Sequence, residues 1–344
     1  MEGLVGEKII IPVTECIPGM TLMQSIIDEQ TGVIIIGKGQ VLTEESIERL
    51  KNFSRAQLWV ALGEESSIWK LDPHARTEYK NYAKKLKFVI EHIKDGIIDI
   101  KEIEELASDM MTKFENEYDL LACVNLTRQL DKDSFYHSIN VAFLALTIGR
   151  WEGYSKEKLK NLVLAALLHD VGKLSLRSEL QSKEEEKMNF LEKLEFTRHP
   201  IYSYDKLVSY QEVNVEVLKG ILSHHERCDG SGYPLSLREN KINDFAKIIG
   251  IADTYDYLKR QNHIFEVVRY LGNVMIRKFD VNVLLQFCYN LANYYVGCSV
   301  LLNTGEVGEV VCVQYQALGR PIIKLRGEYV NLNEKTYLEI VKVL

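Results

Sequence analysis

Residues 159–173 read LKNLVLAALLHDVGK, and this stretch decides how the centre of the chain folds. Apolar residues from Leu159 to Leu167 recur at the three- and four-residue spacing of a helix with a buried face. The helix ends at the pair His169-Asp170, which it delivers to one cleft. Gly172 permits a tight exit, and Lys173 stays close to the same place. Adjacent histidine and aspartate at the end of a buried helix indicate a metal site.

A second histidine-rich string follows at residues 224–234, HHERCDGSGYP. Of the eight histidines in the chain, the ones grouped in this central region are His137, His169, His199, His224 and His225. A lone histidine beside an apolar helix is more often a core or surface residue than a ligand, but this grouping favours a metal centre. The remaining three, His74, His92 and His263, lack such neighbours, and we interpret them as ordinary structural residues.

Carboxylates accompany these histidines. Asp170 can reach two metals if its carboxylate bridges them, as two-metal hydrolases require when they activate water against a phosphoryl group. Asp253 closes an apolar run on a buried strand or buried helix, where a carboxylate is costly without a cation. Asp133 lies four residues before His137, so both face one side if their helix starts by then. Mixed imidazole and carboxylate ligands favour iron, manganese or another first-row ion over calcium.

Length and composition exclude several classes of protein. The chain has 344 residues, 46% of them hydrophobic, and a formal net charge of -7, which predicts two or three globular domains. Its Lys and Arg residues are scattered, which argues against a nucleic-acid polymer as partner. The longest apolar stretches fall far below the roughly 20 residues of a membrane span, and residues 1–10 carry acids where a signal peptide carries bases. We therefore expect a cytoplasmic protein with no membrane span, and its six cysteines, without CxxC spacing, to be reduced thiols.

The residue patterns divide the chain into four segments and predict a mainly α fold. These are a small mixed α/β domain at 1–62, a helical linker or bracing segment at 63–130, a helical metal-binding domain at 131–295 and a small β segment at 296–344. The helices of the second segment either brace the core or carry signal or dimer contacts, and the sequence leaves both open.

Within residues 1–62, the pattern predicts short strands and one helix. Alternating apolar residues indicate strands at 9–11 and 33–36, and 58–60 is predicted to be a closing strand. Thr43 is predicted to begin the helix, because acidic and then apolar residues follow it at helical spacing.

The motifs together resemble the HD-GYP family, a branch of the HD-superfamily metal phosphohydrolases. The resemblance rests on His137-Ser138, His169 to Lys173, His199-Pro200, His224 to Pro234 and Ala252 to Asp256. It implies an HD-superfamily helical-bundle core and an enzyme of bacterial signalling. The implied activity is a phosphodiesterase that hydrolyses the second messenger cyclic di-GMP, by metal-activated water, to the linear dinucleotide, GMP or both.

The resemblance also implies roles for individual residues. The metal ligands would be His137, His169, Asp170, His199, His224, His225 and Asp253. Asp170 would bridge two divalent ions, iron or manganese, and Asp133, which stands where trinuclear members place a glutamate, would serve a third. Asp170 and Lys173 would be catalytic. The substrate would be bound by Lys173, Arg227, Asp229, Gly232, Tyr233 and Pro234. The loop of these last three residues also implies a diguanylate cyclase as partner, and a homodimer is left open.

One stretch departs from the family pattern. Members commonly follow the ADxxDAL string with Arg-Pro-Tyr-Lys, whose basic residues hold the substrate phosphates, whereas this chain has Asn262, His263, Ile264 and Phe265. Arg260 and Arg269 are the candidate replacements. The departure keeps two alternatives open: a non-hydrolytic regulatory or binding module for a cyclic dinucleotide, and a hydrolase of another phosphoester.

Overall fold

The computed structural model describes most of the chain. The described residues are 8–23, 26–27, 34–36, 42–51, 57–62, 73–93, 99–114, 117–126, 134–181 and 183–344. They fall into two compact units. The helical unit comprises Leu71–Arg260 and Met275–Leu284, and the mixed unit comprises Met1–Lys70, Gln261–Val274 and Leu285–Leu344.

Helices dominate the described residues, which confirms the predicted mainly α fold. In chain order they are α1 (Glu44–Lys51), α2 (Pro73–Ile93), α3 (Ile100–Lys113), α4 (Glu117–Leu126), α5 (Ser134–Trp151), α6 (Lys156–Leu168), α7 (Ser178–Gln181), α8 (Phe190–Phe196), α9 (His199–Leu207), α10 (Val215–Ser223), α11 (Asp244–Leu258), α12 (Ile264–Asn273) and α13 (Val281–Tyr294). The strands are β1 (Lys8–Pro12), β2 (Met20–Leu22), β3 (Ile26–Ile27), β4 (Ile34–Ile36), β5 (Gln57–Leu62), β6 (Ser299–Leu302), β7 (Val307–Cys312), β8 (Ile322–Leu325), β9 (Glu328–Asn331) and β10 (Ile340–Val343).

Helix α6 is the centre of the helical unit. The side chain of Ser155 caps its N-terminus by accepting from the backbone N–H of Lys158. Every residue from Leu162 to Leu168 is buried, so the helix is covered on all sides by neighbours that include α3, α5 and α10. An apolar helix buried in this way fixes the position of the residues at its C-terminal end.

Helix α11 supplies the other apolar wall of the helical unit. Asn243 caps it by accepting from the N–H of Phe245, and its residues Ile248 to Ala252 are buried. Asp253 therefore lies on a buried helix rather than a buried strand, which resolves the choice that the sequence left open.

The mixed unit contains three antiparallel sheets among the described residues. Their strand orders are β1-β5-β2, β3-β4 and β10-β6-β7-β8-β9. The strands predicted at 9–11 and 58–60 are present, but β5 is the central strand of its sheet and does not close it. The predicted strand at 33–36 is present from Ile34, and Val33 lies outside the described residues. The predicted helix is α1, and the Thr43 hydroxyl oxygen accepts from the N–H of Ser46 at 3.1 Å.

Two further expectations bear on these units. The division of the chain into four segments stays a prediction, since the structure groups its residues into two units instead. Among the described residues, none of the helices combines the length and the apolar character that crossing a membrane requires.

Candidate metal centre

Seven of the predicted ligands come together inside the helical unit. They form two groups, Asp170 with His199, His224 and His225, and His137 with His169 and Asp253. Within each group, one ligand atom from each residue lies within 4.8 Å of the others. Asp133, the eighth predicted ligand, lies outside the described residues.

Helix ends bring most of these ligands together. His169 caps the C-terminus of α6 with Asp170 next to it, and His224 caps the C-terminus of α10 with His225 next to it. His199 is the first residue of α9. His137 and Asp253 come from the first turn of α5 and from the C-terminal half of α11.

The Asp170 carboxylate lies between the two groups, with one oxygen toward each. Its Oδ1 is 3.2 Å from Nε2 of His199 and 3.9 Å from Nε2 of His224. Its Oδ2 is 3.4 Å from Nε2 of His169 and 3.7 Å from Nε2 of His137. A carboxylate shared in this manner is the arrangement that a two-metal site uses.

Three of the imidazoles are oriented by the backbone. Nδ1 of His169, His199 and His224 lies 2.7, 2.8 and 2.6 Å, respectively, from the carbonyl oxygen three residues before it. A carbonyl oxygen only accepts, so each Nδ1 carries the ring proton and each Nε2 keeps a lone pair. These Nε2 atoms are the ones that face the carboxylate, so the three rings present the tautomer that a metal ligand needs.

His137 is oriented by a side chain instead. Its Nδ1 lies 2.8 Å from Oδ2 of Asp256, and its Nε2 lies 3.1 Å from Oδ1 of Asp253. The other Asp256 oxygen accepts from Nδ2 of Asn140 at 2.8 Å. Sequence reasoning missed Asp256 and Asn140 as site residues, although each lies three positions after a predicted ligand on the same helix, and that spacing is the signal that points to them.

The donor atoms of this cluster fit a metal and do not satisfy one another. Nε2 of His199 lies 3.4 Å from Nε2 of His224, and both atoms are acceptors because the ring proton of each histidine is on Nδ1. Nε2 of His169 and Oδ1 of Asp170 are buried without a hydrogen-bond partner among the described residues. Lone pairs that converge in a buried space are costly unless a cation lies among them. The residues present therefore fit divalent ions.

Charges at the site set the protonation states of the candidate ligands, and most of them are in the state that metal binding needs. Burial lowers the pKa of His224 and His225 well below its usual value, and neighbouring imidazoles lower it further. Burial alone would raise the pKa of Asp170 and Asp253, but the facing histidines hold both well below their usual range. Burial would lower the pKa of His137, yet the carboxylates of Asp253 and Asp256 raise it to about 9, so a metal that binds His137 must displace a proton from it.

Gly172 lets α9 approach the candidate ligands His169 and Asp170 closely. A Cβ at this position would lie 2.1 Å from the carbonyl oxygen of His199 and 2.4 Å from the backbone nitrogen of Ser203. The Gly172 N–H donates to the Ser203 hydroxyl at 2.8 Å, and that hydroxyl donates to the His169 carbonyl at 2.8 Å. The glycine is thus needed to hold His169 and His199 side by side.

Lys173 faces the same carboxylate. Its Nζ contacts Oδ2 of Asp170, and it also lies 5.3 Å from the centre of the Phe196 ring. The side chain is partly exposed, so its ammonium is available at the rim of the site.

The loop from Gly232 to Pro234 lies against the adjacent histidines His224 and His225. The buried Glu226 carboxylate accepts from the N–H groups of Leu235 and Leu237 at 2.6 and 2.8 Å. A Cβ at Gly232 would lie within 2.5 Å of the backbone of residues 225–227, so only glycine fits there. The Tyr233 ring stacks on the His225 ring with 4.6 Å between their centres. The loop therefore forms part of the rim of the site.

Two other residues predicted to bind substrate are occupied by internal contacts. The Arg227 guanidinium donates to the carbonyl oxygens of His224 and Glu226 at 3.2 and 2.9 Å and lies over the ring of Phe279. Asp229 accepts from the N–H and the hydroxyl of Ser231 at 2.9 and 2.6 Å, which forms a local turn. Both contacts hold the loop, and substrate binding by Arg227 and Asp229 stays a prediction.

The stretch that departs from the family begins a helix of the mixed unit. His263 caps α12 by accepting from the N–H of Glu266, and its Nε2 lies 2.8 Å from the carbonyl oxygen of Ile340. Ile264 and Phe265 are buried. Of the candidate replacements, Arg269 pairs with Glu339 at 3.6 Å, while Arg260 is 54% exposed and lies 3.4 Å from Oδ2 of Asp256 in the helical unit.

Comparisons with known proteins agree with the geometry of the site. Residues 117–266 match the family model described as HD domain. Cyclic di-GMP phosphodiesterase PA4108 of Pseudomonas aeruginosa is 29% identical over 212 residues, which are 60% of this chain and 50% of that protein. Cyclic di-GMP phosphodiesterase PdeB of Borreliella burgdorferi is 27% identical over 216 residues, which are 60% of this chain and 56% of that protein. The chain thus spans about half the length of these curated relatives.

A solved structure shares the fold. Bd1817, a HDG"Y"P protein from Bdellovibrio bacteriovorus, superposes with a TM-score of 0.55 at 17% sequence identity, over 82% of this chain and 98% of that one. The family-model match, the two sequence relatives and the strings that hold the two ligand groups all agree. Residues 117–266 therefore match the HD domain, and the strings that hold the two ligand groups resemble the HD-GYP signature.

Proposed function

We propose that the protein is a metal-dependent phosphodiesterase that hydrolyses cyclic di-GMP to the linear dinucleotide, to GMP or to both. The observation that carries the proposal is the Asp170 carboxylate, whose two oxygens face two separate ligand groups. The names of the two curated relatives support the choice of substrate, because both are cyclic di-GMP phosphodiesterases. The activity would be exercised in the cytoplasm.

The ligand residues would hold two divalent ions, iron or manganese. Asp170 would be shared, His199, His224 and His225 would complete one group, and His137, His169 and Asp253 the other. Asp133 would add a ligand for a third ion. Bound ions of this kind supply Lewis-acid chemistry, since they lower the pKa of a water nucleophile and neutralise charge on the phosphodiester.

The chain's own groups would bind and orient the substrate. Lys173 carries the positive charge nearest to Asp170 and would contact a phosphate oxygen, where an ammonium stabilises the charge that develops during hydrolysis. Tyr233, already stacked on His225, would shape the rim together with Gly232 and Pro234. Arg227 and Asp229 would either stabilise the loop through their internal contacts or contact the substrate directly. The same loop is the surface we propose for a diguanylate cyclase, and a homodimer is the proposed assembly.

A second candidate function is a binding module that holds a cyclic dinucleotide without hydrolysing it. One observation favours it: where relatives of the HD-GYP type place basic residues for the phosphates, this chain has a helix cap at His263 followed by the buried Ile264 and Phe265. Arg260 is the exposed base that would have to take over their role in an active enzyme.

One experiment separates these functions. Protein purified anaerobically and loaded with Fe²⁺ or Mn²⁺ is incubated with cyclic di-GMP, and binding and products are measured in the same sample. We expect linear product from the wild type, none from Asp170→Ala, and wild-type rates from Asp205→Ala, a change at an exposed position of α9. Tight binding without product supports the binding module. Turnover of a different cyclic dinucleotide, with none of cyclic di-GMP, would show that the substrate is that other dinucleotide. A protein that neither binds nor hydrolyses cyclic di-GMP would contradict both functions.

A further inference from the structure

A chain of buried side chains connects α2 to the metal centre. The Tyr79 hydroxyl donates to Oδ1 of Asn140 at 2.7 Å, and Nδ2 of Asn140 donates to Oδ1 of Asp256 at 2.8 Å. Oδ2 of Asp256 lies 2.8 Å from Nδ1 of His137. All four residues are buried, and all four belong to the helical unit. A residue 58 positions before His137 thus reaches it through three hydrogen bonds.

The hydrogen bonds that link these four side chains can run in only one direction if every group is to have a partner. The Asp256 carboxylate accepts on both oxygens, so Asn140 must turn its NH₂ group toward Asp256. Its amide oxygen then faces Tyr79, whose hydroxyl donates because an amide oxygen only accepts. The Tyr79 hydroxyl therefore fixes the orientation of the amide, and the amide fixes the carboxylate that holds His137.

Ring packing holds Tyr79 in the position that this contact needs. Its ring stacks on Tyr136, the residue before His137, with 5.8 Å between centres and 21° between planes. It also contacts Phe143 on the same helix, at 5.7 Å between ring centres. The hydroxyl is consequently presented to Asn140 by a rigid aromatic cluster, with little rotational freedom to lose.

We propose that Tyr79 is a positioning residue of the metal centre, which acts through Asn140 and Asp256 on the imidazole of His137. The inference rests on the metal binding of the proposed function and does not depend on the substrate. Groups that hold the far nitrogen of a ligating histidine fix its ring and raise its affinity for the metal, and this effect extends along a hydrogen-bonded chain.

The same helix supplies a matched control. Tyr82 lies one turn after Tyr79 and is also fully buried, and its hydroxyl donates to Oδ2 of Asp109 at 3.2 Å. That bond leads to α3 and, within the part of the chain that the structure describes, to none of the candidate ligands. Tyr79→Phe and Tyr82→Phe each remove one buried hydroxyl and one hydrogen bond to a side chain from α2. They differ in whether the bond continues to His137.

The test is a titration of the metal-free full chain with Mn²⁺, in which the electron paramagnetic resonance signal of the free ion measures how much Mn²⁺ is bound. The relevant binding phase is the one that His137→Ala abolishes. We expect Tyr79→Phe to weaken that phase by about 3- to 10-fold, less than the 10- to 100-fold typical when a direct partner of a ligating histidine is removed. Tyr82→Phe should leave this phase unchanged. The thermal unfolding temperature of the metal-free protein should fall by a similar amount in both variants.

A double substitution tests whether Tyr79 acts through Asn140. Asn140→Ala should weaken the same phase. The double variant Tyr79→Phe/Asn140→Ala should weaken it no further, because Asn140→Ala alone already breaks the connection between Tyr79 and Asp256. Equal Mn²⁺ affinities for Tyr79→Phe and Tyr82→Phe would overturn the inference while leaving the proposed function intact. A wild-type chain that binds no Mn²⁺ or Fe²⁺ would instead contradict the proposed function, and the inference with it.

Discussion

The imidazoles of the candidate metal centre are held in two different ways. His169, His199 and His224 each donate from Nδ1 to a backbone carbonyl three residues before them, whereas His137 is held by the side chain of Asp256. A backbone carbonyl is present whatever the side chain, so the first three ligands depend on helix ends remaining in place. His137 depends on particular side chains that single substitutions remove. Changes in the backbone should therefore disturb His169, His199 and His224, and changes in side chains should disturb His137.

The largest effect is expected where the backbone packing itself is disturbed. In Gly172→Ala the new methyl group would overlap the first turn of α9, since a Cβ would lie 2.1 Å from the His199 carbonyl oxygen. We expect loss of the ion bound by the group of His199 and a lower free energy of unfolding, by about 1–3 kcal/mol as is typical of overpacked sites. Metal content by mass spectrometry and chemical denaturation measure the two effects.

Gly272→Ala is the control for that change. Gly272 lies within α12, and nothing is found within 4 Å of a Cβ built there. Alanine is favoured over glycine in helices by up to about 1 kcal/mol, so this variant should be as stable as the wild type or more so, with unchanged metal content. Full metal binding by Gly172→Ala would show that α9 can shift without moving His199, and would contradict a site that depends on this close approach.

A smaller effect is expected at the side-chain link. Asp256→Asn keeps the shape of the residue but removes the negative charge that holds the His137 ring. We expect Mn²⁺ binding to the group of His137 to weaken by about 10- to 100-fold, with the group of His199 unaffected. The control is Asp244→Asn, at an exposed position of the same helix. If both ions were lost together, the two parts of the site would not be held independently.

The smallest effect on the metal is expected at Arg260. Its guanidinium lies 3.4 Å from Asp256 but is 54% exposed, and exposed ion pairs contribute only about 0–1 kcal/mol. Arg260→Ala should therefore leave the Mn²⁺ affinity within about 5-fold of the wild type, while KM for cyclic di-GMP rises if this base replaces the missing phosphate ligands. Titration and steady-state kinetics decide, and Arg269→Ala tests the other candidate base in the same way. A metal loss as large as that of Asp256→Asn would instead make Arg260 part of the link that holds His137.

Sequence patterns predicted which side chains come together as candidate ligands, but not the residues that support them. The strings around His169 and His224 point to candidate ligands directly, because several histidines and aspartates are grouped in and around them. Asp256 and Asn140 escaped prediction, since a polar residue within an apolar helix is equally compatible with a structural hydrogen bond. Tyr79 carries no signal at all in the sequence, where it reads as one more apolar position of α2. Its role depends on a tertiary contact with α5 that spacing along one chain does not reveal.

The fold shows the same contrast. Buried helices such as α6 are predictable from continuous apolar spacing, and so is the β character of the C-terminal segment. The position of β5 at the centre of its sheet was not predicted, because strand order depends on long-range pairing and not on local pattern. The shape of the start of α12 was also unforeseen, since the cap formed by His263 is visible only once the helix is known.

The central claim is that Asp170 serves two metal ions at once, and a metal count tests it most directly. Wild-type protein and Asp170→Ala are reconstituted anaerobically with Mn²⁺, freed of excess metal, and their metal content per chain is determined by mass spectrometry. We predict at least two ions per chain for the wild type, and for Asp170→Ala the loss of tight binding in both groups, because each loses a carboxylate oxygen. An Asp170→Ala protein that keeps the full wild-type complement of Mn²⁺ would contradict the claim.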